Sequence, residues 1–431
     1  MTLKRRDFIQ LSTVVAGTTL LTGIQSCQSN EKGMQKELGP DQLEPMTSGI
    51  QPITKAERAS RIEKAQRLLN DQQMEALILD AGTSLTYFTG ISWWPSERPM
   101  VAIIPSQGDV RYVCPGFEEA RLRELITQGN DVYPWQEDES PYKQIALVLK
   151  DAGIKGGKVG VEERVRFFIV DGIRKESPHL DFVSADHVTG ACRLIKSAAE
   201  IALMQVANDI TTNAMKIGMQ ALAVGMSPAD FSAIVSSAHQ TFGAEHDFAD
   251  VNFGEATAFP HGSAKPQRLK QGDIVLMDCG CRVSGYSSDI SRTIVFGQEP
   301  TKRQLEIWSL EKEAQAAGFA AANLMAACED VDAAARAIIT NAGFGPGYKL
   351  PGLPHRTGHG IGMDGHEWGN MVKGNRQPLE PGMCFSIEPN ISIPGEFGVR
   401  LEDCVYMTDT GPKWFSRPSK SIGEPFPGAP A

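Results

Sequence analysis

The sequence predicts an α/β protein with two domains that follow a leader and a linker. Short apolar strands alternate with amphipathic helices over residues 55–190, which is the pattern of an α/β domain. Further along, an apolar run at residues 274–277 leads through a Gly/Ser-rich turn into a second run, which predicts a β-hairpin. The chain has 431 residues, enough for two domains of ordinary size.

The N-terminal domain is predicted over residues 55–190. Its first helix is expected to begin after Thr54, with Glu57 three residues later as a capping box. The sequence of this domain shows no constellation of catalytic side chains. Apolar patterning predicts strands at 76–79, 100–104 and 110–114, and helices at 117–128 and 142–152.

The second domain is predicted over residues 191–431, including a Pro-rich tail from Arg417. Residues 192–197 are expected to open a long helix that runs to about Leu222. Ser227 and Pro228 are typical of the start of the next helix. The remaining predicted elements are a strand at 248–253 and helices at 304–325 and 330–342.

Two aspartates occupy the predicted hairpin, Asp278 after the first apolar run and Asp289 in the second, eleven positions apart. They face each other if the turn centres near Val283 and Ser284, and are diagonal neighbours if it centres one residue later. Like charges that face each other across a hairpin are destabilising. A cation between them, or protonation of one of them, relieves the repulsion, and metal binding is the simplest relief.

Three further metal-ligand candidates lie downstream. His359 is framed by glycines, Glu388 follows an apolar stretch, and Glu402 ends a strand-like run. Glu388 and Glu402 flank a turn at residues 394–395, so they are expected on facing strands. Four carboxylates and one imidazole suit two divalent ions; oxygen-rich ligation favours manganese, and cobalt, iron and zinc stay open.

These residues resemble the metal set of the pita-bread metallopeptidases, a family that includes aminopeptidase P, prolidase and methionine aminopeptidase. The motifs that carry the resemblance are DCGCRVSGYSSD, HRTGHGIGMDGHE, SIEP and VRLED. It spans about residues 191–409 and extends loosely to a creatinase/prolidase-like N-terminal domain. It implies a pita-bread catalytic domain, a homodimer, and two metal ions on Asp278, Asp289, His359, Glu388 and Glu402.

The resemblance also implies hydrolysis of an amide bond by a hydroxide that bridges the two metal ions. Glu388 would shuttle a proton to the leaving amine. His261 and His366 match the family's two non-ligand histidines, which stabilise the reacting carbonyl. His355 and Arg400 match residues of Xaa-Pro-cleaving relatives that bind the substrate or, for Arg400, support the charge of the site.

The expected function is cleavage of the Xaa-Pro bond at peptide N-termini, as in aminopeptidase P. An Xaa-Pro dipeptidase (prolidase) is an alternative, because one sequence does not settle the permitted peptide length. A creatinase-like amidinohydrolase and a pita-bread binding protein are further alternatives, against which the five intact ligand positions argue. Asp364, Glu367 and Asp403 are expected to be solvated or to support the ligands. Residues 390–392 depart from the family, where many members carry Gly and a nearby Tyr.

Residues 1–27 predict export. Arg5 and Arg6 begin a twin-arginine pattern, a weakly apolar segment follows at 11–24, and residues 24–27 resemble a lipobox that ends at Cys27. We expect a lipoprotein-type signal peptide, with the protein periplasmic or lipid-anchored at the cell envelope and residues 28–54 as a linker. An amphipathic helix with a chance arginine pair is the alternative.

Composition excludes other classes. A net charge of −10 argues against nucleic-acid binding, and the body of the chain contains no apolar run of membrane-spanning length. The seven cysteines after Cys27 show no Cys-x-x-Cys spacing and are expected to be small buried thiols.

Trp93 and Trp94 stand next to each other in a loop that contains Pro95. Two adjacent indoles do not easily enter one core. One hypothesis is that an indole shapes the substrate pocket of a neighbouring subunit, because this region can cover the active site in relatives. The alternative is ordinary packing, with one indole in the core and one at the surface.

Overall fold

A computed structural model describes residues 44–428 of the protein. The predicted export signal, Cys27 and residues 28–43 of the predicted linker lie outside the described residues. None of the helices within residues 44–428 combines the length and the apolar character needed to cross a membrane.

One mixed sheet organises the first half of the described chain. Its six strands are β1 (Met74–Asp80), β2 (Val101–Pro105), β3 (Arg111–Pro115), β4 (Asp131–Trp135), β5 (Gly157–Val161) and β6 (Leu180–Ser184). Their order across the sheet is β4-β3-β2-β1-β5-β6. Strand β1 pairs antiparallel with β2 and parallel with β5, so the sheet is of mixed type.

Helices cover both faces of this sheet: α1 (Lys55–Asp71), α2 (Thr83–Thr89), α3 (Glu119–Leu125), α4 (Pro141–Asp151), α5 (Phe167–Glu176) and α6 (Asp186–Leu194). Side chains alternate between the faces of a strand, and β1 uses both. Leu77 and Leu79 pack in the core that contains α1, α2 and α6, whereas Ala76 and Ile78 pack in the core that contains α4 and α5. The alternating pattern predicts an α/β domain, and the structure shows that it has three layers.

The second half begins with helices α7 (Ala198–Gln220) and α8 (Pro228–Thr241) and the strands β7 (Glu245–Phe253), β8 (Ile274–Val283), β9 (Tyr286–Ser287) and β10 (Ile290–Val295). These strands form a sheet of order β10-β8-β7, with β9 on β8. Helix α7 packs on β8 and helix α8 on β7. The predicted hairpin is therefore the centre of a helix-covered sheet.

Two more helices and seven more strands follow: α9 (Lys302–Ala321), α10 (Cys328–Asn341), β11 (Gly358–Gly360), β12 (Glu367–Met371), β13 (Cys384–Ile387), β14 (Asn390–Ile393), β15 (Phe397–Arg400), β16 (Asp403–Thr408) and β17 (Gly411–Trp414). Strands β12-β11-β13-β16-β17 form one sheet and β14-β15 a hairpin. A backbone bridge between Ser291 and Glu402 joins this part to the β7–β10 sheet.

The predicted long helix from residue 192 is wrong at its start. Helix α6 already ends at Leu194, and α7 begins only after Ser197, whose side chain and Glu200 form a capping box. Between the two helices, Ile195 forms a bridge with Met383. The strong cap and this strand-like contact outweigh the helical pattern of the segment. The predicted domain boundary at residues 190–191 falls inside α6.

The predicted capping box at the first helix is only half formed. The Thr54 hydroxyl accepts a hydrogen bond from the backbone N–H of Glu57. The Glu57 carboxylate does not return the contact, because it accepts hydrogen bonds from Arg61 and Ser197 instead. The helix predicted at 117–128 is also shorter, since regular α-helix covers only Glu119–Leu125.

The described part of the Pro-rich tail is packed. Ile422 is buried in the core beneath α9, and Arg292 donates hydrogen bonds to the carbonyl oxygens of Arg417 and Pro425. Arg292 is itself fully buried and pairs with Asp403 at 2.7 Å. Asp403 is therefore not solvated, and its partner Arg292 also donates to the backbone carbonyl oxygen of the predicted ligand Glu402 at 2.9 Å. Asp403 anchors the tail through Arg292.

A second set of charges, buried except for the half-exposed Arg164, connects the two halves of the chain, and we call it the Arg193 cluster: Arg164, Arg193, Lys196, Asp364 and Glu367. Arg193 contacts Asp364 at 2.6 Å and Glu367 at 2.5 Å, and Lys196 contacts Glu367 at 3.0 Å. Arg164 reaches Asp364 at 3.0 Å. These contacts fix the connection between β11 and β12, which carries His366.

Candidate metal centre

The hairpin register decides how the two aspartates meet. The turn is formed by Ser284 and Gly285, both with positive φ (50° and 84°), as a tight two-residue hairpin of type I′ requires. This register puts Ser291, not Asp289, directly opposite Asp278. The two aspartates are therefore diagonal neighbours, the second of the two predicted alternatives.

The glycines around His359 permit a close approach of backbones. A Cβ atom on Gly358 would lie 1.9 Å from the Ser386 carbonyl oxygen, and one on Gly360 would lie 1.6 Å from that of Trp368. Only glycine fits at either position. The His359 backbone is further fixed by its N–H, which donates to the Ser386 hydroxyl at 3.0 Å.

The His359 ring presents an acceptor to the carboxylates. Its Nδ1 lies 3.1 Å from the Gly360 carbonyl oxygen, which can only accept, so Nδ1 carries the proton and Nε2 carries a lone pair. That Nε2 lies 3.1 Å from Glu388 and 3.7 Å from Asp289. Lone pairs that converge in this way repel each other unless a cation lies among them.

Glu388 and Glu402 come from facing segments, as expected. Glu388 directly follows β13, and its backbone N–H donates to the Thr357 carbonyl oxygen at 2.7 Å. Glu402 lies between β15 and β16, where its backbone exchanges hydrogen bonds with Ser291. One carboxylate oxygen of Glu402, Oε1, is buried and has no hydrogen-bond partner among residues 44–428.

The electrostatics of the cluster favour a bound cation. Burial raises the pKa values of Asp278, Asp289 and Glu402, and repulsion from neighbouring carboxylates raises each of them further. Ligand atoms lie within 4.8 Å of one another in three groups: Asp278, Asp289 and Glu402; His359, Glu388 and Glu402; and Asp289, His359 and His366. This donor set, with its unpartnered oxygen, fits divalent metal ions.

Arg400 is engaged within the cluster. Its guanidinium contacts the Asp278 carboxylate, donates to the Ser291 hydroxyl at 2.9 Å, and donates to the Pro260 carbonyl oxygen at 3.0 Å. The side chain is buried. This geometry favours support of the site's charge, and it leaves Arg400 little freedom to bind a substrate directly.

The three other predicted histidines surround the carboxylates. The His366 ring stacks on His359 with a centroid distance of 3.9 Å, and its Nδ1 accepts a hydrogen bond from Arg356 at 2.9 Å. His355 donates from Nδ1 to the Arg356 carbonyl oxygen, and its buried Nε2 has no partner among the described residues. His261 is exposed at the rim.

One cavity of about 470 Å³ brings the predicted residues together. Its size is typical of sites for small molecules. It is lined by all nine predicted site residues and by three others: Pro260, His261, Asp278, Asp289, Pro354, His355, Arg356, His359, His366, Glu388, Arg400 and Glu402. The structure thus establishes their proximity, and their chemical roles stay predictions.

Sequence reasoning missed two residues of this cavity region. The Ser291 hydroxyl lies 3.0 Å from Asp278 and 2.8 Å from Glu402, and since it has one proton it can donate to only one of them at a time. The register of the hairpin could have revealed it, because Ser291 pairs with Asp278. Arg356 is the second, and its position next to His355 in the motif HRTGHGIGMDGHE is the signal that could have revealed it.

The two adjacent tryptophans point in different directions. Trp94 is 85% exposed, whereas Trp93 packs partly against the N-terminal core, with the Arg121 guanidinium 5.1 Å from its ring centre. One indole in the core and one at the surface is the arrangement expected from ordinary packing. The contribution of Trp94 to a neighbouring subunit stays a prediction.

The seven cysteines within residues 44–428 are all buried free thiols, as expected. Burial raises the pKa of Cys281 to about 11 and that of Cys384 to about 12. Such thiols are protonated at neutral pH and do not serve as thiolate ligands or nucleophiles.

Comparison with known proteins identifies the family. Residues 202–409 match metallopeptidase family M24, and residues 61–195 match the creatinase/prolidase N-terminal domain. The chain belongs to metallopeptidase family M24. This confirms the resemblance to the pita-bread metallopeptidases and the predicted fold class, a creatinase-like α/β domain followed by a pita-bread catalytic domain. The protein is therefore an enzyme of the metallopeptidase class.

Several relatives match over most of their length. An Xaa-Pro dipeptidase of Lactobacillus helveticus is 32% identical, with 84% of this chain and 98% of the relative covered. The crystal structure of a prolidase from Thermococcus sibiricus has a TM-score of 0.77 at 29% identity, covering 84% of this chain and 97% of that one. A dipeptidase structure from Mycobacterium ulcerans also gives 0.77 at 29% identity, with coverage of 85% and 97%.

Proposed function

We propose that this metallopeptidase is an Xaa-Pro dipeptidase. The observation that carries the proposal is the buried set of four carboxylates and one acceptor imidazole inside a small cavity. Several relatives at 29–32% identity that match over nearly their whole length are named dipeptidases or prolidases, whereas an X-Pro aminopeptidase of Thermotoga maritima that matches equally far is 24% identical; this favours a dipeptide over the longer peptides of aminopeptidase P. Dipeptide cleavage thus replaces the aminopeptidase P-like activity as the leading hypothesis.

Two divalent ions, with manganese favoured, would be held by two overlapping groups of ligands. Asp278 and Asp289 would hold one ion, His359 and Glu388 the other, and Glu402 is common to both groups. Bound there, the ions would supply an activated water and a Lewis acid for the scissile carbonyl. The hydrogen bond from His359 Nδ1 to Gly360 fixes the tautomer that a metal ligand needs.

The remaining groups would handle protons and the developing charge. Glu388 would take a proton from the attacking water and pass it to the proline nitrogen, which must be protonated to leave. His366 accepts at Nδ1 from Arg356, so its neutral ring carries the proton on Nε2 and can donate to an oxyanion. His261, at the rim of the cavity, would provide a second donor.

Arg356 suits recognition of the substrate carboxylate. It lines the cavity, and within residues 44–428 its guanidinium donates only one side-chain hydrogen bond, to Nδ1 of the neutral His366 ring. A guanidinium without a carboxylate partner is well suited to bind the free carboxylate of a dipeptide. A peptide bond or amide in the same place would lack that negative charge, so this contact would disfavour longer peptides.

The proposal is tested by metal-stripped protein with Mn²⁺ added back, using Leu-Pro, Leu-Pro-amide and Leu-Pro-Gly as substrates. We expect a higher kcat/KM for Leu-Pro than for the other two substrates, and no activity in Glu388→Ala, which controls for contaminating peptidases.

Arg356→Gln is expected to lower kcat/KM for Leu-Pro roughly tenfold or more and to leave kcat/KM for the amide nearly unchanged. Equal cleavage of Leu-Pro-Gly would restore the aminopeptidase P-like assignment. No cleavage of any substrate would overturn the peptidase specificity.

We also infer export by the twin-arginine route, lipid anchoring at Cys27, and a homodimer. The first two are supported by the arginine pair and the lipobox-like segment, and the dimer by the prevalence of two-fold symmetric assemblies. Fractionation of cells that express the wild type and Cys27→Ala tests the anchor: only the wild type should partition with membranes. Light scattering on the purified enzyme tests the dimer, and a monomer mass would contradict it.

A further inference from the structure

His355 and Arg356 enter the cavity on a segment without regular structure. Apart from a backbone bridge between Gly352 and Ser392, residues 345–357 contain neither helix nor strand, and three prolines and three glycines interrupt them. Such a backbone does not by itself fix the direction of a side chain. Yet His355 is partly buried, and its buried Nε2, which has no hydrogen-bond partner within residues 44–428, belongs to a residue that lines the cavity. Something outside the segment must set its position.

Arg336, on helix α10, makes the required contacts. Its Nη1 donates to the carbonyl oxygens of Gly347 at 2.8 Å and Leu353 at 2.9 Å. Its Nη2 donates to the carbonyl oxygen of His355 itself at 2.7 Å. One rigid guanidinium therefore binds the segment at its beginning, near its end, and at the residue that faces the cavity.

Asp332, one helical turn earlier, completes the contact. Its carboxylate accepts two hydrogen bonds from Arg336, at 2.9 Å and 3.1 Å, so the guanidinium cannot rotate away. The same carboxylate accepts from the backbone N–H of Thr357 at 3.1 Å and from its hydroxyl at 2.7 Å. Both side chains are mostly buried, which strengthens these charge-assisted bonds.

We propose that Arg336, held by Asp332, is a positioning residue that sets His355 for substrate binding. It touches neither the substrate nor the reacting atoms, and it acts through the backbone of residues 353–357. The proposal rests on the proposed function, because it assigns His355 a contact with the dipeptide. Lysine cannot replace this guanidinium, since an ammonium group lacks the planar fork that spans three carbonyls and a carboxylate.

The test is a double-mutant cycle on Leu-Pro hydrolysis with Arg336→Met, His355→Ala and the double variant. We expect Arg336→Met to raise KM about tenfold with kcat changed less than about threefold, the pattern of lost binding. The double variant should show the same KM as His355→Ala, because a residue that acts through His355 has no effect once His355 is removed. KM increases that multiply would overturn the proposal, as would an unchanged KM in Arg336→Met.

Two controls separate positioning from folding. Arg282→Met removes another partly buried arginine of an ion pair, with Asp247 at 2.9 Å, and should leave KM unchanged. Arg336→Lys keeps the charge and should still raise KM at an unchanged unfolding temperature.

Hydrogen exchange gives a readout independent of activity: amides of residues 353–357 should exchange at least about tenfold faster in Arg336→Met than in the wild type. If the wild type cleaves no Xaa-Pro dipeptide, the proposed function fails. Hydrogen exchange then tests the role of Arg336 alone, and unchanged exchange in Arg336→Met would overturn that role.

Discussion

Two buried sets of charged residues meet at the loop that carries His366, and they are balanced in opposite ways. In the Arg193 cluster, two carboxylates face three cationic side chains at 2.5–3.0 Å. In the metal centre, four carboxylates converge with one buried guanidinium, that of Arg400, and a His359 ring that presents a lone pair. The first set is balanced within residues 44–428, whereas the second requires cations that this part of the chain does not provide.

The pKa values of the carboxyl groups differ between the two sets in the same way. Burial alone would raise the pKa of Glu367, but the charges of Lys196 and Arg193 outweigh burial and lower it to about 2. Burial raises the pKa values of Asp289 and Glu402, and there the neighbouring carboxylates act in the same direction. Buried carboxylates of one protein thus serve two purposes: those matched by cationic side chains join the halves of the chain, and those that outnumber their cationic partners form a place for metal.

Asp289→Asn is expected to have the largest effect. It removes one ligand charge from the metal centre, and kcat/KM for Leu-Pro should fall by about a thousandfold or more, since the metal supplies the activated water. The metal-free variant should unfold at the same temperature as metal-free wild type or higher, because a repulsive charge is gone. Parallel kinetics and thermal unfolding in a chelator check both parts, and a clear loss of metal-free stability would show that Asp289 is structural.

Arg193→Met should have the converse effect. It leaves Asp364 and Glu367 buried with too little positive charge, which costs about 3–5 kcal/mol of unfolding free energy. Arg164→Met is the matched control: that guanidinium is half exposed, and its loss should cost about 1 kcal/mol or less. Urea unfolding of the three proteins measures the difference. If Arg193→Met were as stable as Arg164→Met, the Arg193 cluster would not hold the two halves together.

Acid should weaken the Arg193 cluster in a defined window. The pKa of Glu367 is about 2 in the folded protein and 4.5 in its unperturbed state, so its contribution is complete above pH 4.5 and is lost as the pH falls towards 2. The maximum loss is on the order of 3 kcal/mol. Urea unfolding of metal-free protein at pH 5 and pH 3 measures the part of this loss that falls between those pH values, about 2 kcal/mol. In Glu367→Gln the difference between the two pH values should shrink by that part, and an unchanged difference would contradict the assignment.

The same contrast explains what sequence alone could predict. Asp278, Asp289, His359, Glu388 and Glu402 stand in short motifs whose order and residue types already indicate a metal site. The α/β alternation and the hairpin follow equally from local patterns. Each of these predictions rests on residues that are near one another in the chain or on a resemblance between motifs.

Contacts between distant segments could not be read in this way. Glu367 was expected to be solvated or to support the ligands, because nothing in its neighbourhood indicates that Arg193 and Lys196 reach it from 171 or more positions away. Arg336 likewise carries no signal, since its partners are backbone carbonyls, which every residue has. The register of the hairpin stayed open because it depends on the positive φ of Ser284, a residue that is not glycine.

The most direct measurement is the manganese content of three proteins: wild type, Asp289→Asn and Arg193→Met, each stripped, reloaded with Mn²⁺, passed through a desalting column and analysed by plasma mass spectrometry. We expect two ions per chain in the wild type and in Arg193→Met, assayed well below its unfolding temperature, and at most one in Asp289→Asn. A wild-type chain that retains no metal, or an Asp289→Asn variant that still retains two ions, would contradict the claim that these four carboxylates and His359 form the metal centre.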